Sequence, residues 1–123
     1  MQDLQNCNLL LVDDEKEFIQ TLGMRLELRG ANVRIAFDGK VALELLKASL
    51  PDIILLDMCM PEMSGLATLQ CIRKDYGNIP VFVITGYCSQ TNYEAAMQLS
   101  VQSYHTKPII FEDLAREIAA ASR

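Results

Sequence analysis

Three short, predominantly apolar runs constrain the fold of this chain more than any other feature. They occupy residues 8–12, 53–56 and 81–84, and none of them alternates apolar with polar residues. A run of this length and pattern is typical of a strand that is buried on both faces, as in a parallel sheet. Two weaker segments, residues 32–36 and 102–104, are predicted to be edge strands.

Helical patterns separate the five predicted strands. Gly30 is predicted as the C-cap of the first helix and Asp38 as the N-cap of the second, and Ser64 precedes the third. The fourth pattern, residues 89–99, is weak in its first turn, and the fifth begins near Phe111. Strands that alternate with helices across short connections predict an α/β fold with helices on both faces of the sheet.

The length of the chain fits one domain. It has 123 residues, half of them apolar, and single hydrophobic cores typically span about 100–150 residues. We therefore predict one α/β domain over residues 1–123, a doubly wound, five-stranded parallel sheet with five helices. Right-handed crossovers place the carboxyl ends of all strands at one edge, where such folds bind their ligands.

Charge and composition argue against several functions and locations. Sixteen acidic residues against eleven basic ones give a net charge of −5, which disfavours direct binding of nucleic acid by this chain. The apolar runs are about four residues long, far short of the roughly 20 that cross a membrane. The first residues lack the pattern of a signal peptide, so a cytoplasmic location and four reduced cysteines are expected.

Polar residues follow the predicted strands where each strand ends. Asp13 and Asp14 follow the first run, Asp57 the second, Thr85 the third, and Lys107 comes after the weak last strand. Taken singly, each has an ordinary explanation as a helix cap, a turn residue, a strand terminus or a solvated lysine. Their joint occurrence at one edge of a parallel sheet predicts a single site.

The chemistry of this residue set points to phosphoryl groups. Two like charges about 5 Å apart repel by roughly 3 kcal/mol at an effective dielectric constant near 20, so clustered carboxylates need a cation or a raised pKa. Oxygen ligands suit Mg²⁺, and the lone His105 offers no zinc site. An aspartate can act as a nucleophile toward phosphorus, and a lysine and a hydroxyl can bind phosphoryl oxygens.

Four motifs occur in a fixed order along the chain. They are LVDDE at residues 11–15, DMCMPEMSG at 57–65, VITG at 83–86 and YHTKP at 104–108. Through these motifs the chain resembles, from Leu9 to about Ile118, the receiver domains of two-component response regulators. The resemblance implies a flavodoxin-like sheet with strand order 2-1-3-4-5.

The same resemblance implies a phosphoacceptor site. Asp57 would accept a phosphoryl group from a phosphohistidine on a sensor histidine kinase or phosphotransfer protein. Asp13 and Asp14 would hold Mg²⁺ together with the Asp57 carboxylate and the backbone carbonyl of Cys59. The only catalysis implied is the Mg²⁺-dependent phosphorylation and dephosphorylation of the chain itself.

The resemblance further implies a switch. Lys107, joined to Pro108 by a cis peptide bond, would pair with one phosphoryl oxygen, and the Thr85 hydroxyl would bind another. Tyr104 would change rotamer as Thr85 moves toward the phosphoryl group. The result would be an altered partner-binding face around residues 89–111, which a downstream protein or effector domain would contact.

Two other functions stay open at this point. A haloacid-dehalogenase-like phosphohydrolase also uses Asp, Thr, Lys and Mg²⁺, but it needs a second Asp two residues after the nucleophile, where Cys59 stands. An interaction module of the same fold that works without phosphorylation would be expected to lack one of the acidic residues or the lysine, and all are present.

Some residues depart from the pattern of the resembled family. Ser100 and Val101 replace a common Gly-Ala pair, so the turn before the fifth strand is expected to differ. Gly86 stands where alanine is usual, which is expected to make its loop more mobile. Cys59 and Cys88 are predicted near the rim of the site, where inert thiols or a redox role are both open.

Overall fold

The computed structural model describes residues 4–60, 63–86 and 89–122, and within these ranges five strands alternate with five helices. The strands are β1 (Asn8–Val12), β2 (Asn32–Ala36), β3 (Ile53–Leu56), β4 (Val81–Thr85) and β5 (Ser103–Thr106). The helices are α1 (Lys16–Leu28), α2 (Gly39–Ala48), α3 (Gly65–Tyr76), α4 (Gln90–Gln98) and α5 (Phe111–Ala121). Among these elements, no helix is long and apolar enough to cross a bilayer.

The strands form one parallel sheet in the order β2-β1-β3-β4-β5. The three strong aliphatic runs are the three central strands, and the two weaker segments are the edges, as predicted. In the centre of the sheet, Leu10 of β1 lies in register with Arg34 of β2 on one side and Ile54 of β3 on the other. The predicted fold class and strand order are therefore confirmed.

Apart from Asn8 at the start of β1 and Thr85 at the end of β4, the central strands are apolar because their side chains enter two separate hydrophobic clusters. Leu9 and Leu11 of β1 pack in the cluster under α1 and α5, and Leu10 and Val12 pack in the cluster under α2 and α3. All four side chains are fully buried. A strand covered on both faces shows no alternation of apolar and polar residues, which explains the pattern in the sequence.

Capping residues fix where the helices begin. Asp38 accepts a hydrogen bond from the N–H of Val41 at 2.8 Å, which confirms the predicted N-cap of α2. Ser64 accepts one from the N–H of Ala67 at 3.1 Å and is the N-cap of α3. At the end of α1 the C-cap is Arg29 rather than Gly30, which follows it with a φ of +102°. Glycine adopts this backbone conformation without steric cost.

The last strand differs from its predicted bounds of residues 102–104. The ladder with β4 begins at Ser103 and runs on until Thr106 lies in register with Thr85. Because β5 is an edge strand, its side chains are half-buried or exposed and mostly polar, so an apolar run cannot mark its end. In the turn that precedes it, Ser100 has a φ of +59°, a conformation that favours glycine.

The guanidinium group of Arg73 in α3 hydrogen-bonds two turns at the amino-terminal edge of the sheet. Its Nε donates to the carbonyl oxygen of Leu99 at 2.6 Å, and its Nη2 donates to that of Ser100 at 3.2 Å. Its Nη1 donates to the carbonyl oxygens of Gly77 and Ile79, both at 2.8 Å. One guanidinium thus joins the turn after α3 to the turn after α4.

Candidate functional site

The carboxyl edge of the sheet brings the polar residues of the strand ends together. Asp13, Asp57 and Thr85 are buried, Asp14 is half-buried, and the Lys107 side chain is 12% exposed. The Thr85 hydroxyl hydrogen-bonds the Asp57 carboxylate, and Lys107 Nζ lies 2.8 Å from Asp13 Oδ2. The five residues that the strand ends supply therefore form one cluster, as the sequence predicts.

Backbone hydrogen bonds fix the positions of Asp13 and Asp57 along the sheet. Beyond the last paired residues of β1 and β2, the N–H of Asp13 donates to the carbonyl oxygen of Ala36 at 3.1 Å. Likewise the N–H of Asp57 donates to the carbonyl oxygen of Val12 at 2.9 Å. The sheet hydrogen bonding thus continues one residue past each strand, which holds both aspartates at the same edge.

Three carboxylates form the acidic part of the site. Asp13, Asp14 and Asp57 each present an oxygen atom, and these atoms all lie within 4.8 Å of one another. Two of them are oriented by backbone amides, since the N–H of Glu15 donates to Asp13 Oδ1 at 2.9 Å and that of Cys59 to Asp57 Oδ1 at 3.3 Å. A set of carboxylate oxygens of this kind could hold a hard divalent cation such as Mg²⁺.

The segment after Asp57 is fixed by a close approach of α3. A Cβ atom added to Gly65 would lie 2.1 Å from the carbonyl oxygen of Asp57 and 2.4 Å from Cα of Met58. The N–H of Gly65 donates to the carbonyl oxygen of Met58 at 3.1 Å. Only glycine lets the first turn of α3 pack directly against the residues that carry the acidic side chain.

Lys107 has two anionic partners in this structure. Its ammonium group contacts the carboxylates of Asp13 and Glu15, and it lies 4.3 Å from the ring centroid of Phe18. The peptide bond to Pro108 is cis, as the resemblance implies. The ammonium therefore approaches the acidic cluster from the side of α1.

Burial and mutual repulsion shift the ionisation of the cluster. Burial, reinforced by the charge of Asp13, raises the pKa of Asp57 from 3.8 to about 6, while the N–H of Cys59 and the charge of Lys107 oppose the shift. Burial also raises the pKa of Asp13 against the effect of Lys107. Although burial lowers the pKa of Lys107, its bonds to Asp13 and Glu15 raise it on balance. The site therefore carries unbalanced negative charge, which a cation would relieve.

Tyr104 lies next to the site on β5. It is two residues before Thr106, the register partner of Thr85. Its ring is half-buried, with the hydroxyl oxygen buried, and its centroid lies 5.1 Å from that of Tyr93 of α4 in an edge-to-face arrangement at 74°. This contact connects the strand beside Thr85 to α4, and Tyr93 was not predicted from the sequence.

The cysteines around the site are described only in part. Cys7 and Cys71 are free thiols, and Cys59 is exposed. Cys88, together with Pro61 and Glu62 of the second motif, lies outside the described residues. The predicted proximity of Cys59 and Cys88 therefore stays a prediction, as does the role of the Cys59 carbonyl in metal binding.

The contact between Glu15 and Lys107 was not predicted from the sequence. Its carboxylate reaches Lys107, which is 92 positions away along the chain. The motif at residues 11–15 marks Glu15 as part of the acidic turn, but the sequence has no feature that pairs it with a lysine of the last βα loop. Long-range contacts of this kind become visible only once the strand order is known.

Comparisons with known proteins agree with this architecture. The response regulator receiver domain family matches residues 9–119. The transcriptional regulatory protein CpxR of Escherichia coli K12 is 36% identical over 115 residues, which cover 94% of this chain and 49% of CpxR. Response regulator MprA of Mycolicibacterium vanbaalenii is 30% identical over 115 residues, which cover 94% of this chain and 50% of MprA. This chain thus spans about half the length of the curated relatives it matches.

Solved structures show the same fold. The receiver domain of the Francisella response regulator 1452 superposes with a TM-score of 0.87 at 30% identity, covering 95% of this chain and 97% of that one. A CheY-like receiver domain protein from Methanospirillum hungatei superposes with a TM-score of 0.91 at 24% identity, covering 96% of this chain and 94% of that one. The second likeness is informative for the fold alone.

Proposed function

This chain belongs to the response regulator receiver domain family, whose general function is a phosphorylation-activated switch in two-component signalling, and we propose that Asp57 is its phosphoacceptor. The observation that carries the proposal is the convergence of Asp57 with Asp13, Asp14, Thr85 and Lys107 at one edge of the sheet. Residues 1–123 would form one receiver domain that works in the cytoplasm.

Asp57 is suited to accept a phosphoryl group. With a pKa of about 6, Asp57 is ionised in roughly nine-tenths of the molecules at pH 7. A carboxylate oxygen is therefore available as the nucleophile. That oxygen forms the new O–P bond while the P–N bond of a donor phosphohistidine breaks, and the donor imidazole keeps the electron pair and takes up a proton. The donor would be a sensor histidine kinase or a phosphotransfer protein.

The acidic cluster supports a Mg²⁺ requirement. Asp13, Asp14 and Asp57 would hold the ion, with the Cys59 carbonyl as a further oxygen ligand, and the ion would neutralise charge on the transferring group. Asp13 and Asp14 would thereby be kept from repelling the anionic donor. Lys107 and Thr85 would each bind a phosphoryl oxygen, one through its ammonium group and the other through its hydroxyl.

The contacts of Tyr104 support a route from the site to a partner. A Thr85 hydroxyl drawn toward the phosphoryl group leaves space beside β4, and the Tyr104 ring would move into that space. Because the ring touches Tyr93, α4 would move with it. The face around residues 89–111 would then present a different surface to a downstream protein or effector domain, and this chain alone would not bind nucleic acid.

Intact-mass measurement tests the phosphoacceptor. Incubation with phosphoramidate and Mg²⁺ should add one phosphate-sized mass to the wild-type chain and none to Asp57→Asn. Asp75→Asn, which removes one exposed carboxylate from α3, is the matched control and should be phosphorylated like the wild type. A mass gain that persists in Asp57→Asn would show that the acceptor is misassigned, and rapid turnover of a generic phosphate ester would support a phosphohydrolase instead.

Hydrogen exchange tests the switch surface. Phosphorylation of Asp57 should change the exchange rates of amides within residues 89–111 more than those of α2, which lies next to the other end of the sheet. Unchanged exchange across residues 89–111 in a fully phosphorylated sample would contradict the assignment of this face.

A further inference from the structure

Glu15 lies at the N-terminus of α1, but its side chain bonds to Lys107 instead of capping the helix. It occupies the N-cap position of α1, but its side chain makes no capping hydrogen bond. The carboxylate instead contacts Lys107 Nζ, although the Glu15 side chain is 61% exposed. Its backbone N–H donates to Asp13 Oδ1. Glu15 therefore touches both members of the Asp13–Lys107 ion pair.

These contacts hold the ammonium group of Lys107 on the α1 side of the cluster. Lys107 hydrogen-bonds Asp13 and Glu15, whereas Asp57 interacts with it only through its charge. Under the proposed function, Asp13 turns to the metal ion, and Lys107 must reach an oxygen of the phosphoryl group on Asp57. Glu15 lies outside the group of carboxylates that could hold the ion, so it remains available to Lys107.

We propose that Glu15 is a positioning residue that retains Lys107 away from Asp57 in the unphosphorylated protein and so slows phosphoryl acceptance. The inference rests on the proposed function and assigns Glu15 a role that acts through Lys107. Phosphorylation requires the ammonium group to exchange the Glu15 carboxylate for a phosphoryl oxygen. Removing the Glu15 charge leaves Lys107 with the Asp13 carboxylate alone, and that carboxylate is the one the metal ion competes for.

The size of the effect follows from the exposure of the pair. Ion pairs with one solvent-exposed partner are generally weak, and their loss changes an equilibrium by about two- to fivefold. The initial rate of phosphorylation by phosphoramidate with saturating Mg²⁺ should therefore rise by about two- to fivefold in Glu15→Gln.

Glu17→Gln is the matched control. Glu17 lies in the first turn of α1 and lines the same groove as Glu15, so its substitution removes the same charge from the same neighbourhood. A rate in Glu17→Gln close to that of the wild type, with a faster rate in Glu15→Gln, supports the proposal. Equal acceleration in both variants would overturn it, because both would then act by reducing repulsion of the anionic donor.

Mg²⁺ titration without any phosphoryl donor provides the second readout. In the Lys107→Met background, where Glu15 has no ammonium group to retain, Glu15→Gln and Glu17→Gln should bind Mg²⁺ alike. A clearly weaker affinity in Glu15→Gln alone would overturn the proposal by placing Glu15 in the metal site.

A third comparison measures the binding of beryllium fluoride at Asp57 in the presence of Mg²⁺. The fluorine atoms of this group take the positions of phosphoryl oxygens. Glu15→Gln should tighten this binding in the wild-type background and leave it unchanged in the Lys107→Met background. An equal gain in both backgrounds would overturn the inference. A wild-type chain that accepts no phosphoryl group would instead refute the proposed function itself, so the two failures are distinguishable.

Discussion

Replacing Asp57 with asparagine is expected to stabilise the metal-free protein. Asp57 is 3% exposed, and burial together with the charge of Asp13 raises its pKa from 3.8 to about 6. The folded state thus favours the protonated form of this carboxyl group more than the unfolded chain does. Asparagine has a similar shape, keeps an oxygen that can accept from the N–H of Cys59, and carries no charge.

The magnitude follows from the linkage between ionisation and folding. The pKa of Asp57 is raised by about two units, and each unit corresponds to about 1.4 kcal/mol, so the ionised group costs about 3 kcal/mol of stability at pH 7. Since the pKa is raised on folding, this contribution favours folding fully below about pH 4 and is lost as the pH rises through about 6. The advantage of asparagine should fall to about half of this at pH 5 and to less than about 1 kcal/mol at pH 4.

Urea unfolding in the presence of a chelator measures this difference. With a urea dependence of about 2 kcal/mol per molar, the midpoint of Asp57→Asn should exceed that of the wild type by about 1.5 M at pH 7. Asp75→Asn removes an exposed carboxylate and should change the free energy of unfolding by less than about 0.5 kcal/mol. Added Mg²⁺ should stabilise the wild type more than Asp57→Asn and narrow the gap.

Two outcomes would contradict an ionised Asp57 that is destabilised in the folded protein. Equal midpoints for wild type and Asp57→Asn at pH 7 would show that the ionised carboxylate is not destabilised by its surroundings. A stability gain of the same size at pH 4 and pH 7 would show that the effect comes from packing rather than from charge.

Three further substitutions test local features of the fold, each by urea unfolding. Gly65→Ala should lower the free energy of unfolding by about 3 kcal/mol, because the added methyl group meets backbone atoms of Asp57 and Met58; a neutral effect would contradict the close approach of α3. Ser64→Ala should cost about 1 kcal/mol by removing the N-cap of α3. Ser100→Gly should stabilise the protein by up to about 1 kcal/mol, because glycine relieves the positive φ, and a loss of stability would argue against that conformation.

The central sheet could be predicted from the sequence because burial on both faces leaves an unbroken aliphatic run. Residues 53–56 show this best, since every side chain of β3 is buried. The same argument fails at β5, where Ser103, His105 and Thr106 are polar and lie at the edge of the sheet. His105 and Ser103 instead contact Glu117 of α5, and that contact has no periodic signature in the sequence.

The site likewise contains positions that the sequence predicts and contacts that it does not. Asp13 and Asp57 could be placed together because each follows a buried run, and parallel strands end at a common edge. The partner of Lys107 on α1 could not be predicted, because side-chain length and helix orientation decide which carboxylate an ammonium group reaches. The edge-to-face contact between Tyr93 and Tyr104 depends likewise on how α4 lies over the sheet.

The hydrogen bonds of Arg73 hold the carboxyl end of α4 in place. Its guanidinium holds the carbonyl oxygens of Leu99 and Ser100, just past the last turn of the helix, whereas Ala96 is the buried residue of α4 itself. A rigid helix that is held at one end can rotate about that end. If α4 moved, its displacement would be greatest about 13 Å from that end, at the turn capped by Ser89. Under the proposed function, a small shift of the Tyr104 ring would therefore displace the amino end of α4 more than its carboxyl end.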